Sequence, residues 1–140
     1  MKLETLIAGM ICAAFVIGLA ACAQNTVKAA PLSPNYIAAQ EALSADNYEQ
    51  AKAALTALAA ESSGDFQKEA KAAAAAPDID SMRMAFRSAS DVLIKNGVPA
   101  EYAVAFCPMY KGGASWIQRK GTIANPYTGS SMLTCGSFKN

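Results

Sequence analysis

Between residues 33 and 95 the apolar positions recur every three or four residues, which is the spacing of one face of a helix. The first stripe, residues 36–43, follows Ser33-Pro34, a serine N-cap before proline at the first helical position. A second helix is predicted after Asp46, which stands three residues before Glu49 as the capping residue of a capping box does. The residues that share one face of this second helix are Tyr48, Ala51, Leu55, Leu58 and Ala59.

Two further helices are predicted downstream. Residues 66–76 are alanine-rich and are predicted to form a helix, because alanine is the best helix former. Asp65 can cap this helix, and Pro77 ends it. Asp78 or Asp80 can cap a fourth helix that continues to residue 95, where Asn96-Gly97 is a C-terminal stop. The residues expected on its inner face are Met82, Ala85, Phe86, Ala89, Leu93 and Ile94.

From residue 102 the pattern changes. Tyr102 to Phe106 alternates large and small side chains, as a short strand does, and the remainder is loop-rich and punctuated by glycine and proline. We therefore predict a mainly α fold, a single four-helix bundle-like domain over residues 33–140. Its C-terminal cap, residues 102–140, is expected to be small and loop-rich and to contain a short strand or hairpin.

The first 21 residues read as a signal peptide. Lys2 precedes an apolar run that is too short for a comfortable membrane span, and the run ends in Leu19-Ala20-Ala21-Cys22, which resembles a bacterial lipobox. Cys22 would then be the first mature residue and carry lipid, with residues 22–32 as a tether. An ordinary secretory signal is the alternative, and both export the chain. We expect a periplasmic lipoprotein of the outer membrane, since Ala23 rather than aspartate follows Cys22, with membrane contact only through the lipid.

Composition narrows the function. The chain has 140 residues, no histidine and a net charge of +1, which gives no reason to expect nucleic acid as a partner. Without histidine it lacks the usual general base and the commonest zinc ligand, and we do not expect an enzyme. Charge is unevenly spread: residues 24–101 hold seven basic and ten acidic residues, whereas residues 102–140 hold four basic residues and no acid.

The cap also carries four sulfurs. Cys107 and Cys135 lie 28 positions apart, and a disulfide between them suits an exported protein. Closing that loop would be worth about 3–4 kcal/mol in the chain-entropy model. Met109 and Met132 lie close to them in sequence, so the four sulfurs can instead form a soft site for copper(I) or silver(I). Methionine is also a common core residue, and spacing alone leaves these alternatives open.

The C-terminal stretch is similar to the signature of a bacterial domain-of-unknown-function family, number 3347. The residues that carry the resemblance are Cys107-Pro108-Met109, Gly113, Trp116, Asn125-Pro126-Tyr127, Gly129, Met132-Leu133 and Cys135-Gly136, with Arg83, Phe86 and Ser90 upstream. This family occurs as exported or lipoprotein domains and fused to CusB-type copper and silver efflux adaptors. The resemblance implies a helical domain linked to heavy-metal handling. Tyr110-Lys111 stand where the family often has polar nitrogen or oxygen donors, so a site here would depend on sulfur.

Two functional hypotheses follow. The first is binding and hand-over of copper(I) or silver(I) through Cys107, Met109, Met132 and Cys135, with an efflux-pump adaptor or periplasmic metallochaperone as partner. The second is a non-catalytic interaction module of the cell envelope, in which a Cys107–Cys135 disulfide holds the cap. In that hypothesis a partner protein docks on the surface formed by Lys111, Trp116, Arg119 and Lys120.

Overall fold

A computed structural model describes residues 31–140. The predicted signal peptide, Cys22 and most of the predicted tether lie outside the described residues. The helices are α1 (Pro34–Ser44), α2 (Tyr48–Glu61), α3 (Gly64–Ala74) and α4 (Ile79–Lys95). The strands are β1 (Tyr102–Cys107), β2 (Ala114–Arg119) and β3 (Ser137–Phe138), and a 3₁₀ turn (Gly129–Met132) precedes β3. The mainly α fold with a small C-terminal sheet is therefore confirmed. No helix among residues 31–140 is long and apolar enough to cross a bilayer.

The helix starts follow the capping chemistry of the sequence, with two corrections. Ser33 caps α1 through a 3.0 Å bond from the Asn35 amide, and Asp78 caps α4 through a 2.8 Å bond from the Ser81 amide. Helix α2 is capped by Asn47 instead of the predicted Asp46, because Asp46 adopts a left-handed φ of 57° and turns its carboxylate elsewhere. Helix α3 begins at Gly64, so Asp65 lies in its first turn rather than at its cap.

The core lies between the helices and the sheet. Each helix packs against the next one in sequence, and α4 and α1 pack against β2. The largest fully buried apolar side chains are Trp116, Tyr36, Phe86, Ile37, Leu43, Leu55, Leu58, Met82 and Ile117. Leu32, expected in the tether, is also buried in this core, so the folded domain begins slightly before residue 33.

The sheet has the order β2-β1-β3, with both pairings antiparallel. The sequence pattern predicts a short strand or hairpin here, and the structure adds a third, two-residue strand, β3. Two buried tyrosine hydroxyls satisfy backbone groups of the edge strand β2, one from α1 and one from the loop that follows β2. The Ile117 amide donates to the Tyr36 hydroxyl at 3.1 Å, and the Tyr127 hydroxyl donates to the Ser115 carbonyl at 2.6 Å. The Tyr36 bond ties β2 to α1, and the Tyr127 bond ties it to the following loop, so β1, paired with β2, is held in place as well.

Residues 120–136, which we call the cap loop, are tied to the helices by Arg83 of α4. Its Nε donates to the Pro126 carbonyl at 2.9 Å and its Nη2 to the Leu43 carbonyl at 3.0 Å. The same guanidinium forms an ion pair with Asp46, whose carboxylate also accepts the Ser130 amide at 3.0 Å. Arg83 is buried, so this network joins the α1–α2 turn, α4 and the cap loop into one unit.

Candidate thiol site

The structure brings together the two cysteines that the sequence singled out. Cys107 is the last residue of β1, and Cys135 lies in the cap loop just before β3. Their sulfurs are 3.0 Å apart and both are free thiols. Cys107 is fully buried, whereas Cys135 is partly exposed. The pair therefore joins a fully buried cysteine to a partly exposed one.

Glycine at position 136 allows the cap loop to approach β1 this closely. Its φ is +134°, and an added Cβ would lie 2.8 Å from the Phe106 carbonyl oxygen and 3.0 Å from the Trp116 ring. Real Cβ atoms essentially never approach another heavy atom within 3.0 Å, so a larger residue would push the loop away. The separation of the two sulfurs thus depends on a residue that bears no sulfur.

Asn125 holds the other side of the loop. Its side chain is fully buried, and its Nδ2 donates to the Cys135 carbonyl at 2.8 Å. Its Oδ1 accepts the Tyr127 amide at 2.8 Å, so both ends of the amide have partners. The residue pattern around Asn125 indicates only a loop, and the one signal in the sequence for this role is that Asn125 belongs to the residues that resemble family 3347.

The two thiols have unequal acidity. Burial disfavours the Cys107 thiolate, but hydrogen bonds from the Cys135 thiol, the Met109 and Tyr110 amides and the Asn125 side chain outweigh it. The pKa of Cys107 is therefore lowered. The pKa of Cys135 is raised, first because its thiol donates to the Cys107 sulfur and then by burial. Cys107 is thus the sulfur that the fold favours as thiolate.

The two methionines lie between the two cysteines in the chain, close to them in sequence, and their side chains are at the surface. Met109 is 68% exposed and Met132 is 44% exposed, so neither is a core residue. The Cys135 amide donates to the Met132 carbonyl at 3.0 Å, which keeps that residue beside the pair along the chain. Among residues 31–140 no group of three or more histidine, cysteine, aspartate or glutamate side chains lies close enough together to hold a metal ion. The arrangement is a two-thiol centre, and two exposed thioethers lie close to it in sequence.

The expected partner surface is not brought together. Trp116 is fully buried, with its indole N–H donating to Gln118 at 2.9 Å, so it offers nothing to a docking protein. Lys111 precedes β2, whereas Arg119 and Lys120 lie at its far end. At about 3.3 Å per residue, the six residues of β2 separate its two ends by roughly 16 Å. The basic residues therefore lie in at least two places and do not form a single patch around Trp116.

Comparison with protein-family models, with curated proteins and with solved structures found no match to this chain. The resemblance to family 3347 therefore stays a prediction.

Proposed function

We propose that the protein is an exported cell-envelope domain that binds copper(I) or silver(I) through Cys107 and Cys135 and hands the ion on. The observation that carries this proposal is the 3.0 Å separation of the two thiol sulfurs at the edge of the core. Thiolates select soft monovalent ions over hard cations such as magnesium and calcium. The ion is cargo in this proposal, and no catalytic role is assigned to any residue.

The two sulfurs are closer together than they would be with an ion bound between them, so binding requires a small movement of one cysteine. If the metal–thiolate bond is near the 2.3 Å of zinc sites, two thiolates on opposite sides of one ion lie about 4.6 Å apart. The sulfurs must then separate by roughly 1.6 Å from where they lie. Cys107 is fixed in β1 by its pairing with Ala114, so the movement falls to Cys135, which lies in the partly exposed cap loop.

The exposed thioethers support capture and release. Met109 and Met132 present soft, neutral ligands at the surface, two residues after Cys107 and three residues before Cys135 in sequence. A neutral thioether binds copper(I) or silver(I) without losing a proton, so it can complete a two-thiolate site and still release the ion. The partner that receives the ion is then an efflux-pump adaptor or a periplasmic metallochaperone with exposed sulfur ligands of its own.

The proposal is tested by anaerobic copper(I) titration of the reduced mature domain against a chromophoric competitor. We expect one copper(I) per chain, loss of tight binding in the Cys107→Ser/Cys135→Ser variant, and roughly tenfold weaker binding in Met109→Leu or Met132→Leu. Met84→Leu is the matched control, because Met84 on α4 is 51% exposed and should leave affinity unchanged. Near-native affinity in the double serine variant would refute the proposal.

A disulfide-held interaction module is the second candidate, and the same distance favours it. A disulfide has an S–S length of about 2.05 Å, so closing the pair needs only about 1 Å of movement. In this candidate Cys107 and Cys135 hold the cap, and function belongs to the surface. Intact mass before reduction separates the two: a chain two hydrogens lighter, together with no competition for copper(I) after reduction, would favour the module.

A further inference from the structure

The cysteine pair is asymmetric in access, and this has a chemical consequence that metal binding does not require. Cys107 is fully buried at the end of β1, whereas Cys135 is partly exposed in the cap loop. We propose that the pair is a directional thiol–disulfide exchange site, in which Cys135 reacts with external small disulfides and thiols and Cys107 closes or opens the internal bond. The chemical class of substrate is a low-molecular-weight disulfide of the glutathione type.

The direction follows from how exchange at sulfur occurs. A thiolate must reach a disulfide sulfur directly, and the rate depends on which sulfur is accessible. An external disulfide can meet Cys135 at the surface, but it meets no exposed atom of Cys107. Once Cys135 is joined to the external sulfur, Cys107 stands 3.0 Å from the Cys135 sulfur and needs little motion to attack it.

The reaction balances in two displacements. The Cys135 thiol passes its proton to the Cys107 sulfur 3.0 Å away and attacks an external disulfide RSSR, a Cys135–SR bond forms, and the first RS⁻ leaves. That RS⁻ takes the proton from Cys107, the Cys107 thiolate attacks the Cys135 sulfur, the Cys107–Cys135 bond forms, and the second RS⁻ leaves. Overall two cysteine thiols lose two electrons and two protons, and RSSR is reduced to two RSH. In the reverse reaction an external thiol attacks Cys135, and Cys107 is the leaving thiolate.

The segments around the pair support closure of the internal bond over a stable adduct. Asn125 holds the Cys135 backbone through its carbonyl, and Gly136 keeps the loop against β1. Both contacts involve backbone, so they persist when the Cys135 side chain is modified. The mixed disulfide is therefore held beside its resolving thiol, and external reagents control whether the two sulfurs are free.

The test uses the single variants Cys107→Ser and Cys135→Ser of the metal-free mature domain, with oxidised glutathione as the probe and intact mass as the readout. In the folded proteins we expect Cys107→Ser to gain one glutathione at least about tenfold faster than Cys135→Ser, since only the former retains the accessible thiol. Wild type should end two hydrogens lighter with no glutathione attached. In denaturant the two variants should react at similar rates, which attributes the difference to the fold.

Equal rates for the two folded variants would overturn the proposal, as would a wild-type protein that accumulates a stable glutathione adduct. Circular dichroism and Trp116 fluorescence check the fold of each variant, and Cys107→Ala replaces Cys107→Ser if a buried hydroxyl prevents folding. Because no metal is present, the outcome is independent of the copper(I) titration. Failure of metal binding leaves directional exchange standing, and symmetrical exchange leaves metal binding standing.

Discussion

Gly129 shows how one residue without a side chain makes room for a buried charge. It adopts a φ of +54°, and an added Cβ would overlap both the Asp46 carboxylate and the Arg83 guanidinium. The space that a side chain would occupy is therefore taken by the ion pair that ties the cap loop to the helices. Gly64 has a similar φ of +62° but no atom near its missing Cβ, so it provides a matched comparison.

We expect Gly129→Ala to lower the free energy of unfolding by about 2 kcal/mol, because it adds left-handed strain and displaces the partly exposed Asp46 carboxylate from Arg83. Gly64→Ala should cost only the strain, about 1 kcal/mol. Urea unfolding followed by circular dichroism measures both. Equal losses in the two variants would mean that the overlap with the ion pair is relieved at no cost.

At the scale of elements, the helices could be predicted from the sequence, but the contacts that connect one element to the next could not. Apolar periodicity located all four helices, and Asp78 and Lys95 mark the bounds of α4 as expected. The α2 cap was assigned wrongly because Asp46 and Asn47 are both good capping residues. A contact from Arg83, 37 positions away, engages Asp46 and leaves Asn47 for the helix. Local pattern contains no information about that contact.

Strand β2 shows the same limit for the sheet. The residues of Ala114–Arg119 do not alternate cleanly, since Trp116, Ile117 and Gln118 are buried in succession. Gln118 is buried because it accepts from the Trp116 indole and the Ala124 amide and donates to the Thr122 carbonyl. In β2, adjacent residues are buried, one against the apolar core and the next in a polar network. The strand therefore lacks the alternation of apolar and polar residues by which a strand is recognised in a sequence.

The contact between the cap loop and the α1–α2 turn should weaken in acid. Bonds from the Ser130 side chain, the Arg83 guanidinium and the Ser130 amide lower the pKa of Asp46 to about 2. The unfolded value is about 3.9, so the unfolded chain binds more protons between these values. The stabilisation is therefore complete above about pH 5 and is lost as the pH falls through about 2.

We expect Asp46→Asn to be less stable than wild type at pH 7 and to lose less stability than wild type on transfer from pH 5 to pH 2. Asparagine suits the left-handed φ of 57° at this position, so the substitution tests charge rather than backbone strain. Denaturant midpoints at several pH values measure the difference. Asp78→Asn serves as a control for a carboxylate at a helix cap away from Arg83, and identical acid slopes in Asp46→Asn and wild type would contradict the assignment.

At the scale of the whole molecule, the residues that resemble family 3347 fall into two groups. Some of them carry sulfur, and others position the cap loop so that the two cysteine sulfurs meet. Asn125 binds the Cys135 carbonyl, Gly136 leaves space for the β1 backbone, and Gly129 leaves space for the Asp46–Arg83 ion pair. The sulfurs of Cys107 and Cys135 are in contact with each other. Sequence identified the cysteines as a candidate pair, but their separation depends on close approaches of the cap loop to β1 and α4. The exposure of Met109 and Met132 likewise depends on where the loop lies, which no helical or strand period describes.

Soft-metal binding should change the stability of the whole domain, because an ion that binds the folded pair more tightly than the unfolded chain stabilises the fold by mass action. At a free concentration 1,000 times the dissociation constant this amounts to about 4 kcal/mol. We therefore expect silver(I) to raise the thermal midpoint of the reduced domain by roughly 12 °C or more, at about 3–5 °C per kcal/mol for a domain of this size.

Differential scanning fluorimetry with Trp116 emission measures this shift, with silver(I) added after the reductant has been removed. The Cys107→Ser/Cys135→Ser variant and the oxidised wild type should show no shift, because neither offers two free thiols. If silver(I) leaves reduced wild type unchanged while oxidation alone raises its midpoint, the sulfurs stabilise the cap only as a disulfide. In that case Cys107 and Cys135 belong to the scaffold, and the function must be sought among the exposed residues of the cap.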